Sequence, residues 1–266
     1  MTDGLEVPLT INKQDNGVVI VTFNRPDVLN ALDFASMIAF WHTIRNLESD
    51  ASLRVLILTG AGDKAFSSGG DLTELRDKVT EVDARFFTHI MTDALHRMEN
   101  LAMPVIGAIN GYALGGGSEI ALACDIRIVD ADAKMGMVQI NMGLTPGWGA
   151  GQRLLRLVGY SRAMQLLLRG EILRADDLLT MGLANEKVEQ GQALASALTL
   201  ANQIAERPPK VVRRIKQLLR AGLTMPYNQA RQLEFDLFPE LWADEPHLQA
   251  VEAFFQQQAS KSQETD

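Results

Sequence analysis

Short apolar runs alternate with longer stretches of helical spacing along this chain. Val18 to Phe23 is a β-branched run behind a turn at Asp15, Asn16 and Gly17, and it predicts a strand ended by Asn24-Arg25-Pro26-Asp27. A helix is predicted from about Asp33 to Asn46. Arg54 to Leu58 predicts a second, buried strand, stopped at Gly60-Ala61-Gly62-Asp63. Strand, helix, strand in this order indicates an α/β fold. Glu81 to Asn100 carries Phe86, Phe87, Ile90, Met91, Ala94, Leu95 and Met98 at helical spacing, which predicts a core-packed helix. Val105 to Ile109 is another apolar run, and it leads into a helix opening at Ser118 and Glu119. Further helical patterns occupy Gln152 to Val158, Ser161 to Leu168, Ala175 to Met181 and Gly191 to Glu206. Pro208-Pro209 ends the last of these and is the best candidate for a domain boundary. It divides the chain into a core, 1–207, and a C-terminal helical region, 208–266. That region holds helical segments at about Val211 to Ala221, Tyr227 to Trp242 and Leu248 to Gln258, with a frayed SKSQETD tail.

Composition narrows the functional classes. The 266 residues are 47% hydrophobic, enough for a sizeable core. A net charge of -8 makes nucleic acid a poor general partner. The single cysteine, Cys124, excludes an intramolecular disulfide framework and any cysteine-based metal cluster. The start, MTDGLEVPLTINKQDNG, has neither the basic nor the apolar segment of a secretory signal, and no apolar run approaches the roughly 18 to 20 residues that span a bilayer. A cytoplasmic protein with no membrane partner is expected.

The sharpest chemical signal lies in Pro104 to Gly147. Three consecutive glycines, Gly115 to Gly117, stand between a strand and a helix start, where backbone N–H groups are unpaired and carry the positive end of the helix dipole. Gly116 is therefore a candidate oxyanion donor, although such glycines can also simply allow a tight turn. Glu119 follows at the mouth of an apolar helix. It is either a capping charge or a general acid or base whose pKa is raised by desolvation. A second glycine turn, Lys64-Ala65-Phe66-Ser67-Ser68-Gly69-Gly70-Asp71-Leu72, repeats the layout, with Asp71 and Glu74 spaced as in a capping box. Two such turns can aim two donors at one carbonyl oxygen. Ser67 and Ser68 lack the Gly-x-Ser-x-Gly setting of a hydrolase nucleophile. Gly147-Trp148-Gly149-Ala150-Gly151 lacks the spacing of a dinucleotide fingerprint. His89 and His96 have no ligand partners at metal spacing, and His42 and His247 are isolated. The basic segment with Lys210, Arg213, Arg214, Lys216 and Arg220 reads as a solvated face before it reads as a phosphate site.

Taken together, Arg25-Pro26, Asn30-Ala31-Leu32, the segment from Lys64 to Asp71, the segment from Asn110 to Glu119, Cys124-Asp125, Gly143 to Gly147 and Gln152-Arg153-Leu154 resemble the crotonase superfamily, the enoyl-CoA hydratase/isomerase family. The resemblance runs from Val18 through the C-terminal helices. It implies an α/β fold built as a spiral of ββα turns, with a C-terminal helical trimerisation region that makes homotrimers or pairs of trimers. It implies that Gly70 and Gly116 bind a thioester oxygen, and that Ser68, Gly70, Asp71 and Leu72 line the coenzyme A site. It implies no metal or redox cofactor, coenzyme A being part of the substrate. The family's hydratases place two glutamates around one water. The first matches Glu119, and the second position holds Gln139, which cannot accept a proton at neutral pH but can hold a water. The expected function is an enoyl-CoA hydratase or dehydratase-type lyase in fatty acid metabolism that uses Glu119. The alternatives are a malonyl-type acyl-CoA decarboxylase, an enoyl-CoA isomerase, or a non-catalytic acyl-CoA-binding subunit.

Overall fold

The computed structural model describes residues 7–263. The readings made on the first six residues and on the last three of the tail lie outside that range. The chain begins with β1 (Leu9–Lys13) and β2 (Val18–Phe23), an antiparallel hairpin in which Leu9 faces Phe23. β1 was not expected from the sequence: only Leu9 of its five residues is buried, so no apolar alternation marks it. Next come α1 (Phe34–Glu48), β3 (Val55–Gly60), β4 (Ala65–Ser67), the one-turn α2 (Leu72–Leu75) and α3 (Glu81–Glu99). The following turn is β5 (Val105–Ile109), β6 (Tyr112–Leu114) and α4 (Gly116–Ala123). Then come β7 (Ile126–Asp130), β8 (Lys134–Gly136), a 3-10 turn at Val138–Met142, α5 (Ala150–Val158) and α6 (Tyr160–Arg169). β9 (Leu173–Arg174), α7 (Ala175–Thr180), β10 (Glu186–Val188) and α8 (Ala193–Ala205) complete the first part.

β3, β5 and β7 join one sheet, and the strands that follow each of them, β4, β6 and β8, join another. The large sheet runs β1-β2-β3-β5-β7-β10 and the small one β4-β6-β8-β9. This is the expected spiral of ββα turns. β3, β5 and β7 pair in parallel, and β3 and β5 are buried along their whole length, so they read as continuous apolar runs. On one face of the large sheet, Val18, Val55, Ile57, Ile106, Ala108 and Ile128 pack against Ala193, Ala197 and Ala201 of α8. The larger core lies elsewhere and includes Phe40, Phe66, Met91, Leu95 and Ile120.

Two asparagines of the family motifs hold successive turns together. Asn110 donates from Nδ2 to the carbonyls of Gly60 at 2.9 Å and Gly62 at 2.8 Å, and accepts from Gly60 N at 3.1 Å. Asn30 is left-handed at φ 54°, is 1% exposed and donates to Ala65 O at 2.7 Å and Ala61 O at 3.0 Å.

The chain divides into two compact units, the second beginning at Arg207. The second unit is helical: α9 (Pro209–Thr224), α10 (Tyr227–Trp242) and α11 (Glu245–Gln263). α11 continues well past Gln258, so the start of the tail is helical where fraying was expected. Within this unit Lys210 pairs with Glu240 and Asp244 at 3.1 Å, and Arg214 with Glu240 at 2.9 Å. Two of the basic side chains of α9 are thus engaged with acids of α10 and the turn after it. No helix among the described residues is long and apolar enough to cross a membrane.

Candidate active site

The site grows from the N-terminus of α4, which begins at Gly116, two residues before the helix start read from the sequence. Each glycine there has its own reason. A Cβ on Gly117 would fall 1.9 Å from Ser67 O, and one on Gly116 would fall 2.1 Å from Cζ3 of the Trp148 ring. Only glycine lets α4 press against β4 on one side and an indole on the other. This contact also brings the two glycine turns together, because a Cβ on Gly69 would lie 2.7 Å from Gly116 N. In the bridge between Leu32 and Gly70, Leu32 N donates to Gly69 O at 2.7 Å and accepts at its own carbonyl from Asp71 N at 2.9 Å. That parallel pattern puts the N–H of Gly70 on the opposite edge of its strand from Leu32. As the first residue of α4, Gly116 has an N–H with no intrahelical partner.

Glu119 lies one turn further along α4 and is 2% exposed. Four N–H donors fill its two oxygens. Oε1 accepts from Gln139 Nε2 at 3.0 Å and from Gly147 N at 3.1 Å, and Oε2 accepts from Trp148 N at 2.7 Å and Ala150 N at 2.9 Å. Three of the four come from the loop that enters α5, so the carboxylate sits at a second helix N-terminus, which favours negative charge. Burial pushes the Glu119 carboxyl up. The N–H groups of Ala150, Trp148 and Gly147 and the Gln139 amide pull it down, and burial prevails, leaving the group above the ordinary carboxylate range. The capping reading of Glu119 is thereby narrowed, since its carboxylate serves the start of α5 and not that of its own helix.

Sequence reasoning missed the 147–150 loop as part of the site. Its alternate glycines, which lack the spacing of a dinucleotide fingerprint, belong to a turn whose N–H groups bind the Glu119 carboxylate. Arg153 of α5 secures the loop: Nη1 donates to Trp148 O at 2.6 Å and Nη2 pairs with Glu99 of α3 at 2.9 Å. The available signal was Gly149, left-handed at φ 100°, immediately ahead of a helix.

Gln139 sits in the 3-10 turn, and its amide is oriented by Glu119, because an ionised carboxylate can only accept. Its Oε1 is buried and has no hydrogen-bond partner among the described residues. The other expected site residues lie on the 67–72 segment. Ser68 and Gly70 are half-buried, and Leu72 is 63% exposed at the start of α2. Asp71 accepts from Thr73 N at 3.1 Å and pairs with Arg25 at 3.0 Å. Although partial burial raises it, these bonds hold its carboxyl below the usual range. The expected Asp71–Glu74 capping box is incomplete. Glu74 reaches instead to Phe34 N at 2.8 Å, tying the start of α1 to α2.

A family model described as enoyl-CoA hydratase/isomerase matches residues 13–263. The chain belongs to that family. A short-chain-enoyl-CoA hydratase of Clostridium acetobutylicum is 37% identical over 95% of this chain and 96% of its own length. The crystal structure of an enoyl-CoA hydratase from Bacillus anthracis superposes with a TM-score of 0.89 at 32% identity, covering 94% of this chain and 96% of that one. An ethylmalonyl-CoA decarboxylase of Gallus gallus is 30% identical over 91% of this chain and 82% of its own.

Proposed function

We propose that the protein is an enoyl-CoA hydratase-type lyase in which Glu119 moves the proton and the N–H groups of Gly70 and Gly116 receive the thioester oxygen. The observation that carries this is the buried Glu119 carboxylate, one turn along α4 from Gly116 and fixed by four donors. Two donors on the thioester oxygen would stabilise the enolate that forms when a nucleophile adds at the β-carbon. A water would give its proton to Glu119 as its oxygen bonds to the β-carbon, and Glu119 would return a proton to the α-carbon. The carboxylate is restored at the end of the cycle. Both half-steps suit a carboxyl whose pKa lies above the ordinary range, closer to neutrality.

All four lone-pair positions of Glu119 are filled, so it must release one donor before it can take a proton. Three of the donors are backbone groups set by the 147–150 loop. Gln139 is the one that a side-chain rotation removes, and its buried, unpartnered Oε1 suits a proton of the incoming water. Gln139 thus both guards the base and positions its water. Ser68, Asp71 and Leu72 would flank the coenzyme A portion. These steps use no metal or redox group. The family resemblance and the exposed Phe235, Phe238 and Trp242 of α10 support a homotrimer or a pair of trimers, and a coenzyme A thioester substrate fits a cytoplasmic enzyme.

Gln139 also favours a second reading, malonyl-type decarboxylation, in which carbon dioxide leaves the α-carbon and protonated Glu119 quenches the enolate. Incubation with crotonyl-CoA and ethylmalonyl-CoA in deuterium oxide, followed by mass spectrometry, separates the two. Water addition to crotonyl-CoA is the expected result. Loss of carbon dioxide with deuterium at the α-carbon would establish the second reading. Bound but unchanged thioesters would mark a non-catalytic binding subunit.

A further inference from the structure

We infer that Trp148 is the specificity-determining wall of the acyl site, limiting the size of the group that fits beyond the thioester carbon. The inference rests on the acyl-CoA reading above. Gly116 and Glu119 are three residues apart on α4 and share one helix face. An acyl group whose carbonyl oxygen meets Gly116 N and whose α- and β-carbons reach Glu119 must lie along that face. The six-membered ring of Trp148 covers it: Cζ3, Cη2 and Cε3 would stand 2.1, 2.5 and 2.8 Å from a Cβ on Gly116. The main chain of the same residue donates to Glu119 Oε2 at 2.7 Å. Residue 148 is therefore next to both ends of the reacting segment, with its ring at Gly116 and its backbone at Glu119.

Nor is the ring free to swing aside. It is 5% exposed within the core, and its backbone is held by Glu119 on one side and by Arg153 Nη1 at 2.6 Å on the other. Gly147 and Gly149 flank it, so the indole supplies the bulk of this stretch. A shorter side chain at 148 keeps the backbone N–H that Glu119 needs, which separates the wall from the acid–base machinery. Each methylene admitted to an apolar pocket is worth about fourfold in affinity, so room for two is worth about 15-fold.

The test is calorimetric binding of butyryl-CoA and dodecanoyl-CoA to the wild type, Trp148→Ala and Trp148→Phe, each checked for cooperative unfolding. Saturated esters make the readout independent of turnover. The expected result is a shift in the butyryl-to-dodecanoyl affinity ratio of about 15-fold toward the long chain in Trp148→Ala, and a smaller shift the same way in Trp148→Phe. If Trp148→Ala does not fold, the shift in Trp148→Phe decides. An unchanged ratio, with both affinities falling together, would show the indole to be packing alone and overturn the inference while sparing the acyl-CoA reading. Failure of the wild type to bind either ester would sink both.

Discussion

At Glu119, burial and hydrogen bonding act in opposite directions on a single carboxyl. Its carboxylate is 2% exposed yet receives four donors, and burial still prevails. Hydration needs the ionised base, so kcat/KM should fall as pH drops through a value above the ordinary glutamate pKa of about 4.3. A profile that stayed flat down to the ordinary glutamate pKa of about 4.3 would contradict this assignment. Replacing Glu119 with Gln should lower kcat by about 10²- to 10⁴-fold, the usual range for a lost acid–base group. The Kd of a saturated acyl-CoA should change by less than about threefold, because ground-state binding does not use the proton. The same variant reads out the linkage. The folded-state pKa of Glu119 is raised, so its contribution to stability is fully present below the unfolded value near 4.3 and is lost as pH rises through the folded value. An amide imitates the protonated acid. Urea denaturation should therefore show the wild type losing stability relative to Glu119→Gln between pH 4 and neutrality. Gln139→Leu removes one donor from the ionised form and should move the acid limb of kcat/KM further upward. A limb that moved down would mean that Gln139 does not donate to Glu119.

At the scale of elements, the site is a meeting of two helix starts. α4 begins at Gly116, next to the turn at Gly69 and Gly70, and the start of α5 gives its N–H groups to Glu119. Arg153 joins the second of these to α3 through Trp148 O and Glu99. It is 8% exposed, and breaking a buried pair by removing one partner costs about 3–5 kcal/mol. Arg153→Met should show a loss of that order in chemical denaturation. It should also lose activity in the fraction that stays folded, because the three backbone donors to Glu119 shift with the loop. A variant that lost stability but kept full kcat would show the loop to be held by other contacts. The Gln152-Arg153-Leu154 signature thereby acquires a physical reason: its arginine holds the loop whose N–H groups donate to Glu119.

Across the whole molecule, the large sheet carries β3, β5 and β7, and the small sheet carries the strands that follow each of them, β4, β6 and β8. The glycine turns follow the small-sheet strands β4 and β6, so repetition of the fold itself puts Gly70 and Gly116 in neighbouring positions. If the helical unit from Arg207 onward serves assembly, sedimentation of the purified protein at micromolar concentration should give a trimer or hexamer. A monomer would refute that role.

What could be read in advance follows from range. Local pattern was enough for α1, α3, α10 and the strands β2, β3 and β5, because each announces itself by apolar periodicity or by a buried run within its own residues. It was also enough to single out Gly116 and Glu119 as candidates, since glycines at a helix start and a carboxylate on an apolar helix are anomalies visible without neighbours, whereas Gly70 came from the family resemblance. The two- and three-residue β8, β9 and β10 and the mostly exposed β1 escaped, since too few of their positions carry an apolar pattern, and their pairing is set by distant partners. The role of Gly147-Trp148-Gly149 escaped for a related reason. A backbone N–H carries no side-chain signature, and its acceptor lies about 30 residues earlier in the chain. The sequence by itself determined the fold class, the two glycine turns and the carboxylate that follows the second, because those depend on local chemistry. Only the tertiary structure decided that α5 and Gln139 fill every acceptor site of Glu119 and that an indole covers Gly116, because those facts depend on which distant backbone is brought within 3 Å.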